Sequence, residues 1–202
     1  MKKTILIALV ILINSCASVY ITSEGQTAAD KHQKIAILPP KVGYEQSKKI
    51  DAETLKEAQR TSSIEFQQEI YKWLLKRNDQ GRINIAIQDV EETNVLLKRN
   101  EFDGTNLTVS EICQILEVDG VLYSNFNLSK PTSQGAAIAA ILVFGLGLPT
   151  NRASASMSIK DCESSSMIWN YDHEFSAGIG SSPQGMVDYL MRNASKKLPY
   201  FK

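Results

Sequence analysis

The sequence has few of the residues from which enzyme active sites are usually built. Only two of its 202 residues are histidines, His32 and His173, and only three are cysteines. A histidine-based triad or a metal site with several histidine ligands is therefore hard to assemble, and we expect His173 to be a packed side chain rather than a base. The C-x-x-C, H-E-x-x-H, G-x-S-x-G and P-loop motifs are also missing. We expect no catalytic residue, no metal and no cofactor.

The sequence also lacks an excess of one charge and an N-terminal apolar run long enough to cross a membrane. Lysine plus arginine and aspartate plus glutamate number 22 each. A chain without a basic excess is not expected to bind nucleic acid. The apolar run over residues 4–13 has about half of the roughly 20 residues that a membrane-spanning helix needs.

The N-terminus has instead the pattern of an export signal. Lys2 and Lys3 precede the short apolar run, an order that is typical of a cleaved secretory signal peptide. The run ends in INSC at residues 13–16, which resembles a bacterial lipobox. We expect residues 1–15 to be removed and Cys16 to carry the acyl chains, palmitate among them, since one chain alone binds a membrane only marginally. An ordinary signal peptide before an incidental cysteine is the alternative.

With Cys16 assigned to the lipid, Cys113 and Cys162 remain. The pair could form a disulfide in an oxidising compartment such as the periplasm. Cys113, however, falls on the apolar stripe of a predicted helix, where a free cysteine behaves as a small apolar residue. We favour a free Cys113, but sequence alone leaves the disulfide open because it does not place the two Cα atoms within bridging distance.

Periodicity divides the remaining chain into a tether and one domain. Residues 16–33 are mostly small and polar without a sustained period, which predicts a flexible tether that reaches about 20–25 Å. Residues 34–202 predict a single α/β domain with elements in the order βαβααβ, then ββα. The predicted sheet is mixed and has about five strands, with helices packed against it and a C-terminal β-hairpin and helix.

The strands are predicted at residues 35–38, 83–87, 121–128, 153–159 and 167–175. The helices are predicted at residues 51–77, at 94–99, from a capping box at 108–111, and from an N-cap at Ser182 with Pro183 in the first turn. Trp169 is expected in the core, on the same face as Met167 and Tyr171.

Three segments carry a resemblance to a known group of proteins. They are IAILPP at residues 35–40, LEVDGVLY at 116–123 and DCESSSMIW at 161–169. These are similar to the CsgG, LpoB and TolB N-terminal domain-like group of bacterial envelope lipoproteins, most of all to a neisserial-type lipoprotein family of unknown function. The hairpin pattern D-x-x-x-G-x-x-x-W of that group has Ser165 here in place of glycine. The resemblance covers about residues 34–200 and implies an α/β domain at the inner face of an outer membrane, without catalytic residues.

One segment, residues 135–149, differs from an ordinary connection between strands. Its first fourteen residues carry no polar side chain, where a short polar connection is usual. Its length suits a buried helix that covers the sheet. It also suits a surface that enters a bilayer or contacts another subunit, because contiguous exposed apolar area marks such contacts. Both interpretations stay open, and the residues assigned to the second are Ile138, Ile141, Leu142, Val143, Phe144, Leu146 and Leu148.

These features predict a non-catalytic lipoprotein that is anchored in the outer membrane and faces the periplasm. Its domain is expected to bind envelope proteins or its own copies in cell-envelope assembly or transport. The alternative is a subunit of an oligomeric secretion channel or pore, with residues 135–149 inserted in the membrane. A channel requires a closed ring of subunits, whereas an adaptor stays monomeric or small.

Overall fold

Apolar runs and period-two alternation form the strands of this protein, and apolar periods of three to four residues form its helices. The computed structural model describes residues 18–44, 51–129, 152–176 and 182–202. The strands are β1 (Ser18–Ile21), β2 (Lys34–Ile37), β3 (Lys41–Tyr44), β4 (Ala86–Ile87), β5 (Gly120–Ser129), β6 (Arg152–Asp161) and β7 (Met167–Ser176). The helices are α1 (Ser23–Ala29), α2 (Ala52–Asp79), α3 (Val90–Arg99), α4 (Val109–Leu116) and α5 (Pro183–Ala194), followed by a 3₁₀ turn (Ser195–Lys197).

The strands form one mixed sheet, which confirms the predicted α/β class with helices packed against a mixed sheet. Its order is β1-β7-β6-β5-β2-β4, and β3 pairs with the far half of β5. The strands β5, β6, β7 and β1 are antiparallel neighbours, whereas β2, β3 and β4 run parallel to their partners. The prediction of about five strands did not include β1 and β3. Pro39 and Pro40 separate β2 from β3, because proline has no backbone N–H to donate to the ladder.

The alternating strand residues supply a core to each face of the sheet. On one face, α2 and α5 cover the larger core, in which the rings of Phe66 and Phe126 stack 4.0 Å apart. Trp169 and Tyr171 belong to this core, and both are completely buried. On the other face, α3 and α4 cover a smaller core against β2 and the first residues of β5. The predicted core position of Trp169 is confirmed.

The predicted helix starts are confirmed by their caps. α2 begins after Asp51, whose carboxylate accepts the Thr54 N–H at 2.8 Å. Thr108 and Glu111 form both hydrogen bonds of the capping box before α4. α5 has Ser182 as its N-cap and proline at the first helical position.

Two predicted elements have different bounds. The strand predicted at residues 83–87 pairs regularly only at Ala86–Ile87; Ile83 is buried but forms an isolated bridge to Phe201 instead. The helix predicted at 94–99 begins at Val90, because the Asp89 carboxylate caps the amides of Glu91 and Glu92. In both cases a contact outside the apolar pattern decided where regular structure starts.

The β6–β7 hairpin departs from strict alternation at its start. Ile159 pairs with Trp169, but Lys160 pairs with Met167, so one extra residue on β7 forms a bulge. Met167 is consequently 47% exposed and does not share the buried face of Trp169, contrary to the prediction. The turn residue Ser165 has a left-handed φ of 57°, a conformation that favours glycine. The glycine at this position of the D-x-x-x-G-x-x-x-W pattern is therefore explained by the left-handed backbone of the turn.

The segment predicted as a flexible tether contains β1 and α1. β1 extends the sheet beside β7, and Val19 and Ile21 pack against the larger core. α1 follows with Thr22 as its N-cap. The prediction from small, polar composition was wrong for residues 18–33, because tertiary pairing stabilises a segment whose local propensity is weak.

Candidate functional site

The residues predicted to contact a membrane lie outside the described residues. These are Cys16, the signal segment 1–15, and the apolar residues Ile138, Ile141, Leu142, Val143, Phe144, Leu146 and Leu148 within segment 135–149. Within the described ranges, three or more His, Cys, Asp or Glu side chains nowhere form a group that could hold a metal ion. In the same ranges, no helix has the length and apolar character needed to cross a membrane. The described residues nearest to these segments are the first residues of β1, the end of β5 and the start of β6.

The strand register defines two ends of the sheet. At one end, which we call the exit end, Tyr44 of β3 pairs with Leu128 of β5, and Ser129 of β5 pairs with Arg152 of β6. Arg152 also pairs with Ser176 of β7. The connections that follow β3, β5 and β7 thus all leave the sheet at the exit end. One of them is the connection that contains residues 135–149.

The opposite end, which we call the cross-linked end, brings together distant parts of the chain. It contains the start of β5 at Gly120, the end of β6 at Asp161 and the turn that follows. Gly120 is required there, because a Cβ at this position would lie 2.9 Å from the ring of His32. The close approach of backbone and ring positions His32 against the sheet.

His32 joins three distant segments in a buried network. Its Nε2 lies 2.8 Å from Oδ1 of Asp161, and its Nδ1 lies 2.7 Å from the hydroxyl of Tyr200. The other carboxylate oxygen of Asp161 accepts the backbone N–H of Ser164 at 2.6 Å and its hydroxyl at 2.5 Å. The side chains of His32 and Asp161 are 3% and 6% exposed. An N–H at Nε2 donates to the Asp161 carboxylate, and Nδ1 shares a hydrogen bond with the Tyr200 hydroxyl, so all three groups are satisfied.

The network changes the acidity of its members. Burial raises the pKa of Asp161, but hydrogen bonds from Ser164 and His32 outweigh it and hold the pKa of this carboxyl below its usual range. Burial, together with the carboxylates of Asp161 and Asp119, raises the pKa of the Tyr200 hydroxyl. Asp161 therefore stays ionised and Tyr200 stays neutral at ordinary pH.

Neither histidine has the geometry of a catalytic base. Both ring nitrogens of His32 are hydrogen-bonded within the protein, so neither is placed to take a proton from a substrate. His173 is 4% exposed, stacks on Tyr171 and has its Nε2 3.3 Å from the hydroxyl of Tyr189. Burial lowers the pKa of His173 and favours its neutral form. These contacts agree with the expected packed histidine at this position.

The two cysteines that remain after Cys16 are bonded to each other. Cys113 of α4 and Cys162, the residue after β6, form a disulfide with a Cα–Cα distance of 5.8 Å. The free Cys113 that the sequence favoured is therefore incorrect. The apolar stripe of α4 does face the core, but the hairpin turn approaches the same helix. Sequence alone did not bring these two residues together, since 49 positions separate them.

The N-terminal segment of residues 18–33 is held at both of its ends. Ser18 pairs with Asp172 and Ile21 with Trp169, so β1 covers part of the β7 edge. Gly25 packs so closely on β7 that a Cβ would lie 2.6 Å from the carbonyl oxygen of Ile168. His32 then fixes the end of the segment. No local pattern indicates this attachment, because Asp161 and Tyr200 are 129 and 168 positions away from His32.

Comparison with known proteins gives structural likenesses only. No family model matches the chain, and no curated protein matches it. Lipoprotein GNA1162 from Neisseria meningitidis is 12% identical, with 82% of this chain and 96% of that chain covered and a TM-score of 0.45. The PelC dodecamer from Paraburkholderia phytofirmans is 8% identical, with 92% and 98% covered and a TM-score of 0.40. The LpoB C-terminal domain from Salmonella enterica is 11% identical, with 71% and 82% covered and a TM-score of 0.38.

A neisserial lipoprotein and LpoB, both from groups that the sequence resembles, are thus among the solved structures to which this chain is similar. Likeness at this level carries no argument for a shared function. The function proposed for this chain rests on its own residues.

Proposed function

We propose that this chain is a non-catalytic lipoprotein of the cell envelope, anchored in the outer membrane through acylated Cys16 and facing the periplasm. Its α/β domain binds envelope proteins or its own copies in envelope assembly or transport. The observation that carries the proposal is the order of a charged start, a short apolar run and a small residue before Cys16. The lipid gives the odd cysteine a role, and the other two cysteines form a disulfide.

The disulfide supports export independently of the N-terminal pattern. Disulfides persist in the periplasm and other oxidising compartments and are rare in the reducing cytosol. The bond between Cys113 and Cys162 connects α4 to the β6–β7 turn. A folded domain with this bond suits a protein that matures outside the cytosol.

The contacts of the buried polar side chains support a binding role. The buried polar side chains at the cross-linked end, His32, Asp161 and Tyr200, are hydrogen-bonded to each other. Their network holds the fold together and leaves no ring nitrogen for a substrate. A protein of this kind acts through its surface and its location.

We assign residues 135–149 a second contact, with the membrane or with another subunit. Exposed Leu, Ile, Val and Phe side chains each forgo roughly 1.5–3 kcal/mol relative to burial, so a partner is expected to cover them. The strands that flank the segment end at the exit end of the sheet, where Ser129 pairs with Arg152. β1 also enters the sheet with its N-terminal side toward this end. The strands next to Cys16 and next to the apolar segment therefore have these ends on the same side of the domain.

The lipid anchor is tested by substitution of Cys16. Cys16→Ser should leave an unprocessed precursor that no longer incorporates labelled fatty acid, whereas the control Cys113→Ser should incorporate it as the wild type does. Label at the wild-type level in Cys16→Ser would show that the lipobox interpretation is wrong.

The second contact is tested with the non-lipidated chain. Ile141→Asp/Phe144→Asp should remain folded by circular dichroism but lose liposome binding or self-association. Ile64→Asp/Val95→Asp is a matched control, because it places the same two charges at apolar side chains that are 40% and 46% exposed. If Ile141→Asp/Phe144→Asp loses its cooperative thermal transition, the segment is ordinary core, since an unpaired carboxylate does not tolerate burial.

The alternative function is a subunit of an oligomeric secretion channel or pore with residues 135–149 inserted in the membrane. The feature that favours it is the position of this apolar segment between the paired strands β5 and β6. Native mass of the lipidated chain in mild detergent separates the two functions. A closed ring of many subunits supports the channel, and a monomer or small oligomer supports the adaptor.

A further inference from the structure

We propose that residues 18–33 hold the domain in one orientation on the bilayer, with the exit end of the sheet against the lipid headgroups. The inference rests on the proposed function, because it requires the anchor at Cys16. It replaces a flexible tether with a rigid attachment and identifies the surface that meets the lipid.

The chain between the lipidated residue and the fold is very short. Only Ala17 lies between Cys16 and Ser18, and two Cα–Cα steps of extended chain span at most about 7 Å. Ser18 is already paired with Asp172 in the sheet. The folded domain therefore begins within about 7 Å of the anchored residue, in contrast to the roughly 20–25 Å reach of a flexible tether over residues 16–33.

The register of β1 on β7 shows which end of the sheet is near the lipid. Ser176, the last residue of β7, is four positions beyond Asp172, the partner of Ser18, which places the exit end about 13 Å from Ser18. Met167, at the cross-linked end, is five positions away in the other direction. Because β1 is antiparallel to β7, the chain before Ser18 leads toward the exit end.

The direction of the chain before Ser18 and these distances together favour the exit end. If the cross-linked end faced the bilayer, the chain before Ser18 would have to reverse its direction, and its reach of roughly 7 Å would still leave about 9 Å of the ~16 Å between Ser18 and that end. With the exit end toward the bilayer, the chain already runs in the required direction, and the end of the sheet lies about 6 Å beyond Cys16, about the depth of one headgroup layer. The partner of this surface is thus the lipid headgroups of the membrane in which Cys16 is anchored.

The segment is fixed firmly enough to transmit this constraint. The β1 ladder includes four residue pairs with β7, and Gly25 packs directly on the Ile168 carbonyl. The buried contacts of His32 with Asp161 and Tyr200 hold its other end. Release of the segment would break this pairing and leave a buried carboxylate without its partner.

Helix α2 offers labelling positions at both ends of the sheet. Its N-terminal half lies at the exit end, where the hydroxyl of Ser62 bonds to that of Tyr44 at 2.5 Å. Its last turn lies at the cross-linked end, where Asn78 donates to the carbonyl of Ile85. Glu53 and Asp79 are both exposed, and 26 helical positions place them about 39 Å apart.

The experiment uses the full lipidated chain in phosphatidylethanolamine–phosphatidylglycerol liposomes that contain a phospholipid with a nitroxide headgroup. A fluorophore is attached at Glu53→Cys in one sample and at Asp79→Cys in another, and the loss of fluorescence is measured. We expect strong quenching at position 53 and little at position 79. In a control with ten Gly/Ser residues inserted between Ala17 and Ser18, which reach about 16–19 Å, the difference should shrink markedly.

The outcomes separate this inference from the proposed function. If the wild-type chain floats with the liposomes but both positions are quenched equally, or position 79 more, the orientation is wrong and the anchor stands. If the chain does not float with the liposomes and incorporates no fatty acid, the anchor itself is absent, and both proposals fail.

Discussion

The two ends of the sheet are held by different kinds of contact. At the cross-linked end, a disulfide, a buried hydrogen-bonded network and a β-bulge lie within a few residues of Asp161. At the exit end, the described contacts include one hydroxyl pair, Tyr44 with Ser62, and the stacked rings of Phe66 and Phe126. Segments that are distant in sequence are joined at the first end, whereas the strands on either side of residues 135–149 end at the second. The end that holds the fold together is thus distinct from the end assigned to the membrane.

The largest effect is expected when the network at the cross-linked end is broken. His32→Ala leaves two buried groups without their ring partner, the Asp161 carboxylate and the Tyr200 hydroxyl. Each such loss costs about 1–3 kcal/mol and more at a charged group, so we expect about 3–5 kcal/mol in all. The measurement is the urea midpoint of the non-lipidated domain. Lys31→Ala is the control, because its ion pair with Glu163 is 4.0 Å long and exposed, and such pairs contribute at most about 1 kcal/mol. Equal midpoints for the two variants would show that the network does not hold the segment.

Removal of the disulfide should have the next largest effect. Cys113→Ser/Cys162→Ser is expected to lower the free energy of unfolding by about 2–4 kcal/mol, mainly because the unfolded chain is no longer constrained. Wild-type protein in a thiol reductant should match the double variant. A midpoint that is the same with and without reductant would mean that the bond does not contribute to stability.

Prediction from the sequence succeeds for local patterns and fails for these cross-links. Capping residues, alternation and apolar stripes are local, so α2, α4, α5 and the β6–β7 hairpin were predicted with their core residue Trp169. Contacts between distant residues leave no local pattern. The pairing of Cys113 with Cys162 and the place of His32 beside Asp161 therefore emerged only from the structure.

The N-terminal segment gives the clearest case of tertiary structure that overrides composition. Small and polar residues indicated a tether, yet β1 completes the edge of β7 and α1 packs beside it. Of the predicted membrane contacts, Cys16 and residues 135–149 rest on sequence patterns alone. Periodicity does not show what covers residues 135–149, because buried and membrane-exposed apolar runs have the same pattern.

Acid should weaken the cross-linked end before the exit end. The folded pKa of Asp161 is lowered by hydrogen bonds from Ser164 and His32, so folding favours its ionised form. This contribution is present above about pH 4, the unfolded value, and is lost as the pH falls through the folded pKa. Between pH 6 and pH 3, the urea midpoint should fall less in Asp161→Asn than in the wild type. Parallel declines would exclude Asp161 as a source of acid sensitivity.

A smaller effect is expected at the exit end. Tyr44→Phe removes the hydroxyl that pairs with Ser62 but keeps the ring, so the free energy of unfolding should fall by about 1 kcal/mol. Burial raises the pKa of Tyr44, which means that this hydroxyl stays protonated in the folded state near neutral pH. A urea midpoint that falls as far as that of His32→Ala would show that the two ends depend equally on their polar contacts.

The smallest change is a gain in stability at the β6–β7 turn. Ser165 has a φ of 57°, and this left-handed conformation costs an L-residue roughly 1–2 kcal/mol. Glycine avoids that cost, but its greater entropy loss on folding cancels part of the gain. Ser165→Gly should therefore stabilise the domain by about 0.5–1 kcal/mol, which for its size raises the melting temperature by about 1–4 °C. Ser166→Gly is the control, because its φ is not positive, and it should stabilise nothing. A lower melting temperature for Ser165→Gly would mean that the serine contributes a contact worth more than the strain of its backbone.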